Sequence, residues 1–447
     1  MKLNKYFLIG AMGLGLFACS DDLDGNGQDN GNKVEEGTTY VAFSLDFKNL
    51  NSRATTTGTE EGTKEEQTVT SAYVILADAS GNFSKVISTD DIVTSDEGYY
   101  TTNQKFLFKT TAGNHDFYAV VNPDKAPTTS DNATTYFNTA TNEVTLGKIT
   151  ADDKFMMSSM EKKTFYIENG VKEEDALAGT KGTANNYEID VERVSAKVTV
   201  TCENPILTDR NGKNAGGTID NQSTTFNLKN VAEMTYRMKQ QPNVEIEGNT
   251  YTGGVQNVAV CFDKGAEDVF YRNASPAYCL ENLHTNYIQG NTTYITLKTV
   301  FKPTKVVDCD ATTVKELKDN DATTTSFYVV TAGDLAGNYL MAEDLTDYRN
   351  GKEQDALPAG VEAISSVYTD GECWFGPIWV GQDETNPAIA PITRNTWYNL
   401  QITGITLPGK PSEPEIDEDE DLEPDTNVAI TLSIMPWNFV NREISLQ

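Results

Sequence analysis

The sequence predicts an all-β protein, with two antiparallel β-sandwich domains followed by a C-terminal strand on an acidic linker. Three observations carry this reading. Runs rich in Val, Ile, Thr, Tyr and Phe recur along the chain, broken by Gly, Asn, Asp and Pro. Two runs, VAFSLDF at 41–47 and VAITLSI at 428–434, alternate apolar with small or polar residues. That period of two marks a strand with one buried face. Before the second run, PSEPEIDEDEDLEP lies in a stretch with nine carboxylates between Glu413 and Asp425. Their mutual repulsion favours an extended tether.

Bulk properties narrow the function. A chain of 447 residues is long enough for two or three domains, and 38% hydrophobic with 9% aromatic residues supports a real core. The mean hydropathy of −0.46 is that of a soluble product. Against 66 acidic residues stand 35 basic ones, a net charge of −31. Such a surface repels nucleic acid and anionic membranes, so neither is an expected partner.

The elements follow in order. MKLNK is a positive n-region and YFLIGAMGLGLFA a short apolar core, a signal peptide over 1–18. It closes on LFAC, which resembles a bacterial lipobox and points to lipidation at Cys19. Ser20, Asp21 and Asp22 resemble the surface-export signal of Bacteroidota lipoproteins. Residues 19–53 then form a propeptide: a flexible spacer over 28–37, then a strand presenting Val41, Phe43, Leu45 and Phe47 on one face. NSRATTTGTEEGTKEEQ follows as a polar, exposed loop. Strand-like runs continue with SAYVILAD, KFLFK, DFYAVVNP, VSAKVTVTC, TFNLKNV, TTYITLKTVF, SFYVVTA, CWFGPIWVG and WYNLQITGITL. ATTVKELKD, at 311–319, is the better of few helix signals. A boundary is expected near Gly182 to Tyr187, where KGTANNY interrupts, giving domains at 54–186 and 187–408. The linker occupies 409–427 and the last strand lies in 428–447.

Catalytic chemistry is unsupported. His115 and His284 sit in no metal-ligand spacing, and no nucleophile elbow, P-loop or dinucleotide fingerprint occurs. His115 reads as a hydrogen-bonded surface histidine, and no cofactor or metal is expected. Trp374 and Trp379 could form a sugar-stacking platform, although core and edge aromatics of a sandwich are the commoner reading. Cys202, Cys261, Cys279, Cys309 and Cys373 contain no CxxC pair. One or two disulfides are open to an exported chain, as is burial of free thiols.

The two regular strands make sense as one device. Val41, Phe43, Leu45 and Phe47 match Val428, Ile430, Leu432 and Ile434 in spacing, so both sets suit the same kind of groove. Arg53, in a polar loop just after the first strand, is a site for a trypsin-like protease, leaving Ala54 as the new N-terminus. With the first strand gone, the tethered strand of another molecule can enter by strand addition. A head-to-tail contact that does not close builds a filament. At roughly 3.3 Å per residue, 408–427 reaches about 60 Å. Burying the four apolar side chains is worth about 6–12 kcal/mol before entropy costs, with Trp437 and Phe439 extending the contact. Read without this device, both strands are sandwich edges.

The signal MKLNKYFLIGAMGLGLFACS, the mid-chain VERVSAKVTV, the segment RNTWYNLQITGITLPG and the ending after an acidic linker together resemble Bacteroidales fimbrillins. The likeness covers essentially the whole chain and is nearest to the minor (Mfa-type) fimbrillin, a shaft subunit of type V pili. It implies transthyretin-like sandwiches and export as a lipoprotein to the outer membrane. It further implies removal of the N-terminal strand by an arginine-specific, gingipain-like protease, and a C-terminal donor strand that completes a neighbour. The cleavage arginine of the family corresponds to Arg53 by context. Implied partners are further copies of the chain, anchor and tip fimbrillins, the protease and adhesion receptors on host or bacterial cells. Two alternatives remain: a permanently anchored surface lipoprotein that binds glycans, and an anchor or tip accessory fimbrillin.

Overall fold

The computed structural model describes residues 39–47, 60–61, 63, 66, 68–88, 105–137, 146–150, 154–209, 212–232, 235–238, 243–246, 249–252, 270–272, 275–284, 286–311, 313–318, 325–382, 386–423 and 428–438. For Phe47, Leu146, Lys148, Asn221, Phe270, 60–61, 243–246, 249–252 and 429–438 this extends to the backbone only. Cys19, Arg53, Ala54, Cys261 and Phe439 lie outside the described residues. From Gly37 onward the chain forms one compact unit.

Strand is the dominant regular structure among the described residues, with short helices such as Glu173–Ala178 and Ala342–Arg349. No helix among them is long and apolar enough to cross a membrane. The first sheet runs Phe83–Ser88, Ala72–Ala77, Gly113–Val121, Met157–Ser159, Asn186–Arg193, Thr39–Phe47, Phe106–Thr110. It curls over its own core: Phe43 near one end meets Phe117 in the middle at 4.5 Å, and Lys85 Nζ on one edge strand reaches the Lys109 carbonyl on the other. AYVILA is nearly all apolar because both its faces are covered. Val74 and Leu76 join the core with Phe43, while Ile75 and Ala77 pack with Tyr136 and Phe137 on the outer face.

Two further sheets sandwich the second core. One runs Ala277–Leu280, Ser195–Thr201, Thr396–Thr406, Val428–Asn438, Glu60–Glu61; the other is centred on Tyr294–Pro303, flanked by Thr225–Lys229 and Glu372–Trp379. Val198, Val200, Leu400 and Ile402 face Phe226, Ile295, Leu297 and Phe375 between them. The segments VERVSAKVTV and RNTWYNLQ supply adjacent parallel strands, joined also by the Trp397 indole donating to Thr199 Oγ1 at 2.8 Å.

Three expectations change. The sheets are mixed rather than purely antiparallel, since Thr39–Phe47 runs parallel to Asn186–Arg193 and Ser195–Thr201 parallel to Thr396–Thr406. Such pairs need long crossovers, which the wide sequence separations supply. The described residues of 311–319 are not helical: Thr313–Glu316 is a strand paired with Lys305–Asp308. Asp308 Oδ1 accepts from the amides of Asp310 and Ala311, fixing a turn where a helix would begin. Finally, Asn186–Arg193, C-terminal to the expected boundary, pairs within the first sheet, and the chain passes to the second at Val194.

One buried ion pair links the earlier and later parts of the chain, and a second lies within the later part. Arg237 holds Asp124 through two bonds of 2.7 and 2.8 Å and donates to the Tyr136 carbonyl. Arg394, the arginine of RNTWYNLQ, is fully buried against Glu281 at 2.9 Å.

Candidate functional site

The first strand is an interior strand. It lies antiparallel to Phe106–Thr110 on one side and parallel to Asn186–Arg193 on the other. Val41, Phe43 and Leu45 are buried, as the alternation predicts, and Ala42 on the opposite face is buried too. Phe43 fills the deepest position, meeting Phe117, Phe165, Tyr187 and Phe108 at 4.5–6.0 Å. Burying three such side chains is worth roughly 5–9 kcal/mol. Lifting the strand out opens a slot along its whole length.

A polar clamp fixes where the strand begins. Thr39 Oγ1 donates to the Glu168 carbonyl at 2.7 Å and accepts from the Val171 amide and the Asn185 side chain. The Asn185 amide also donates to the carbonyls of Tyr40 and Glu168, and its oxygen accepts from the Glu168 amide. Asn185 sits at φ +56°, a left-handed conformation that asparagine tolerates better than most residues. It lies in KGTANNY, which the sequence marked only as an interruption. At the other end Asp46 stands with Glu188 and Asp190, carboxylate oxygens within 4.8 Å of one another.

The residues after Arg53 are tied down beyond it. Glu66 is fully buried, 2.8 Å from Lys197 Nζ, and accepts from Tyr278 Oη at 2.7 Å. The buried Arg193 guanidinium donates to the Glu66 carbonyl. Burial alone would raise this carboxyl; the Lys197 and Tyr278 hydrogen bonds and the Lys197 charge outweigh it and hold the group below its ordinary value. Nothing in TKEEQ distinguishes this glutamate from its exposed-looking neighbours.

The last strand occupies a place on its own body. Val428–Asn438 pairs antiparallel with Thr396–Thr406, from Ile405 opposite Val428 to Thr396 opposite Pro436, with a register shift near Gly404. Glu60–Glu61 pairs with Trp437 and Asn438 on its far side. The Val428 side chain is buried in the second core. Ile430, Leu432, Ile434 and Trp437 are placed by backbone register alone.

The acidic linker is not a free tether. Lys410 exchanges backbone hydrogen bonds with Trp374, and the amides of Gln289 and Gly290 donate to the carbonyls of Glu420 and Glu418. Glu413 accepts from Thr296 Oγ1 and lies 3.2 Å from Lys229. The Trp379 indole donates to the Glu423 carbonyl, and Leu422 and Ile416 pack on Tyr287, Tyr294 and Trp379. Repulsion among the carboxylates is overcome because one face of the linker carries apolar side chains and backbone acceptors that the body satisfies.

Remaining candidates resolve simply. Trp374 and Trp379 are buried, so they are core aromatics and not an open platform. His115 Nε2 bonds the Thr111 carbonyl at the surface, and His284 Nε2 bonds Asn282 Oδ1. Cys202, Cys279, Cys309 and Cys373 are free thiols, and burial pushes Cys202 up to about 11 and Cys279 to about 12, so neither is poised as a nucleophile.

The fold thus combines an interior strand at Thr39–Phe47 with a second strand of the same apolar spacing, Val428–Asn438, that follows a seated strap. Residues 366–443 match the family described as Major fimbrial subunit protein type IV, Fimbrillin, C-terminal. The matched region holds the strap, Trp374 and Trp379 of its seat, and the last strand with its partner Thr396–Thr406. Among solved structures the chain is similar to a fimbrilin (fimA) from Porphyromonas gingivalis W83, at 16% identity, covering 91% of this chain and 99% of that one, with a TM-score of 0.48. The tip fimbrial protein Mfa3 from Porphyromonas gingivalis, with C-terminal truncation, is 15% identical over 89% of this chain and 100% of that one, at a TM-score of 0.37. A fimbrial assembly protein from Parabacteroides distasonis ATCC 8503 is 13% identical over 59% and 82%, at 0.29. No curated protein matches the chain.

Proposed function

We propose that this chain is a structural shaft subunit of a minor-type fimbria, with no enzymatic role, supporting adhesion and biofilm formation. It is exported as a lipoprotein acylated at Cys19 and cleaved between Arg53 and Ala54 by an arginine-specific protease. The last strand of one subunit, through Val428, Ile430, Leu432, Ile434 and Trp437, then fills the slot left in the next. The body consists of two transthyretin-like sandwiches, expected at 54–186 and 187–408, with Asn186–Arg193 counted in the first, and the polymer meets anchor and tip fimbrillins at its ends and adhesion receptors along its surface.

One observation carries this reading. The segment upstream of Arg53 is an interior strand with Val41, Phe43 and Leu45 buried, so cutting after it opens an apolar slot in an otherwise finished sheet. An interior strand is an unusual segment to lose to a protease unless its loss has a use.

The test has two arms. Arg53→Ala should accumulate as uncleaved monomer, while the parent protein, treated with an arginine-specific protease, yields a product beginning ATTTGTEE and ladders on unboiled SDS gels. Leu432→Asp drives a carboxylate into an apolar slot, at a cost of several kcal/mol, and should give a cleaved, folded subunit that makes no ladder. Long filaments from Leu432→Asp, or from a chain ending at Asp425, would sink the mechanism.

A further inference from the structure

The two strands can be compared residue by residue, not only by alternation. Residues 39–47 read TYVAFSLDF and 426–434 read TNVAITLSI. Aligned without a gap, Thr39, Val41, Ala42 and Leu45 meet identical residues at Thr426, Val428, Ala429 and Leu432. Phe43 meets Ile430, Ser44 meets Thr431, Asp46 meets Ser433 and Phe47 meets Ile434. A slip by two residues would retain the alternation and lose those identities.

The slot has a reason to demand each shared residue. Thr39 is the strand's polar fixing point, its hydroxyl engaged by Glu168, Val171 and Asn185. Ala42 is fully buried, so a larger side chain has no room there. Val41 and Leu45 are likewise closed in. One difference also has a cause in the slot. Asp46 crowds Glu188 and Asp190; of the nearby cations, Lys163 lies 3.7 Å from Asp190 and Lys181 pairs with Glu188. Serine at the equivalent place removes one of three neighbouring negative charges.

Resting on the strand-exchange reading above, we infer that the incoming strand docks in the direction and register of the one it replaces. Thr426 takes the Thr39 clamp, Ala429 the Ala42 site, Ile430 the aromatic pocket of Phe43, and Ser433 the place of Asp46. The incoming strand is therefore antiparallel to Phe106–Thr110 and parallel to Asn186–Arg193 of the acceptor, with Thr431 opposite Glu188 as Ser44 is now. The exchange places serine where the resident strand carries Asp46.

Paired cysteines read the register directly. In the full-length chain, cleaved and assembled, Thr431→Cys with Glu188→Cys should oxidise to intermolecular disulfide ladders at least tenfold more efficiently than Ser433→Cys with Glu188→Cys. Preference for the second pair, with filaments intact, would overturn the register and leave strand exchange standing. Filaments in which neither pair cross-links would overturn both. Ile430→Phe supplies a check independent of thiols: a phenylalanine restored to the Phe43 pocket should slow dissociation of the ladder in SDS, whereas faster dissociation would count against this register.

Discussion

Glu66 shows how much one side chain can settle. It is buried against Lys197, Tyr278 and Arg193, and lies beyond Arg53, so a chain cut at the proposed site would stay fastened to the body at Glu66. Glu66→Gln leaves Lys197 buried without its counter-charge and should cost about 3–5 kcal/mol in denaturant titrations. The pH dependence follows from the lowered carboxyl. Its contribution is complete above its ordinary value of 4.5 and is lost as pH falls through the lower folded value. Between those values the parent protein should lose stability more steeply than Glu66→Gln. Asn185 sets a second prediction. Asn185→Gly keeps the left-handed backbone and removes the side-chain bonds to Thr39, Tyr40 and Glu168. At about 1–3 kcal/mol, the amides of 39–47 should exchange roughly ten- to hundredfold faster in the uncleaved protein.

At the scale of elements, the strap over 410–423 is the one whose position matters most. Leu422 anchors it among Tyr287, Tyr294 and Trp379. Leu422→Ala should weaken that seat by about 1–2 kcal/mol and raise cleavage of the strap by a glutamate-specific protease about tenfold, with the thermal midpoint of the body nearly unchanged. The sequence made the strands legible because alternation is local: Val41, Phe43 and Leu45 face one core as their spacing says. It misread 311–319, where the composition of VKEL suits a helix but the Asp308 turn and the partner Lys305–Asp308 impose a strand. It also took the strap for a free tether, since a run of carboxylates looks solvated wherever it lies. What fastens it, the Gln289 and Gly290 amides and the Trp379 indole, lies at least 44 residues away. The burial of Glu66 and the clamp role of Asn185 were hidden for the same reason: each depends on groups that only the fold brings near.

For the whole molecule, charge and mechanics decide how copies meet. Residues 1–53 carry five basic and seven acidic side chains, so the chain from Ala54 onward carries −29. Subunits of that charge repel as they approach, and the repulsion is screened over about 30 Å at 0.01 M salt but about 8 Å at 0.15 M. Assembly of cleaved subunits, followed by light scattering, should therefore speed up several-fold across that range; a rate independent of salt would argue that other contacts dominate encounter. The seated strap changes what kind of object such an assembly is. With the chain fastened as far as Glu423, four residues separate that point from Val428, a reach of at most about 13 Å. A joint that short works as a hinge pin and not as a rope. Tension on the fibre would run along the shared strand and strain its ladder of hydrogen bonds in shear, all together, so the fibre should resist pulling far better than twisting.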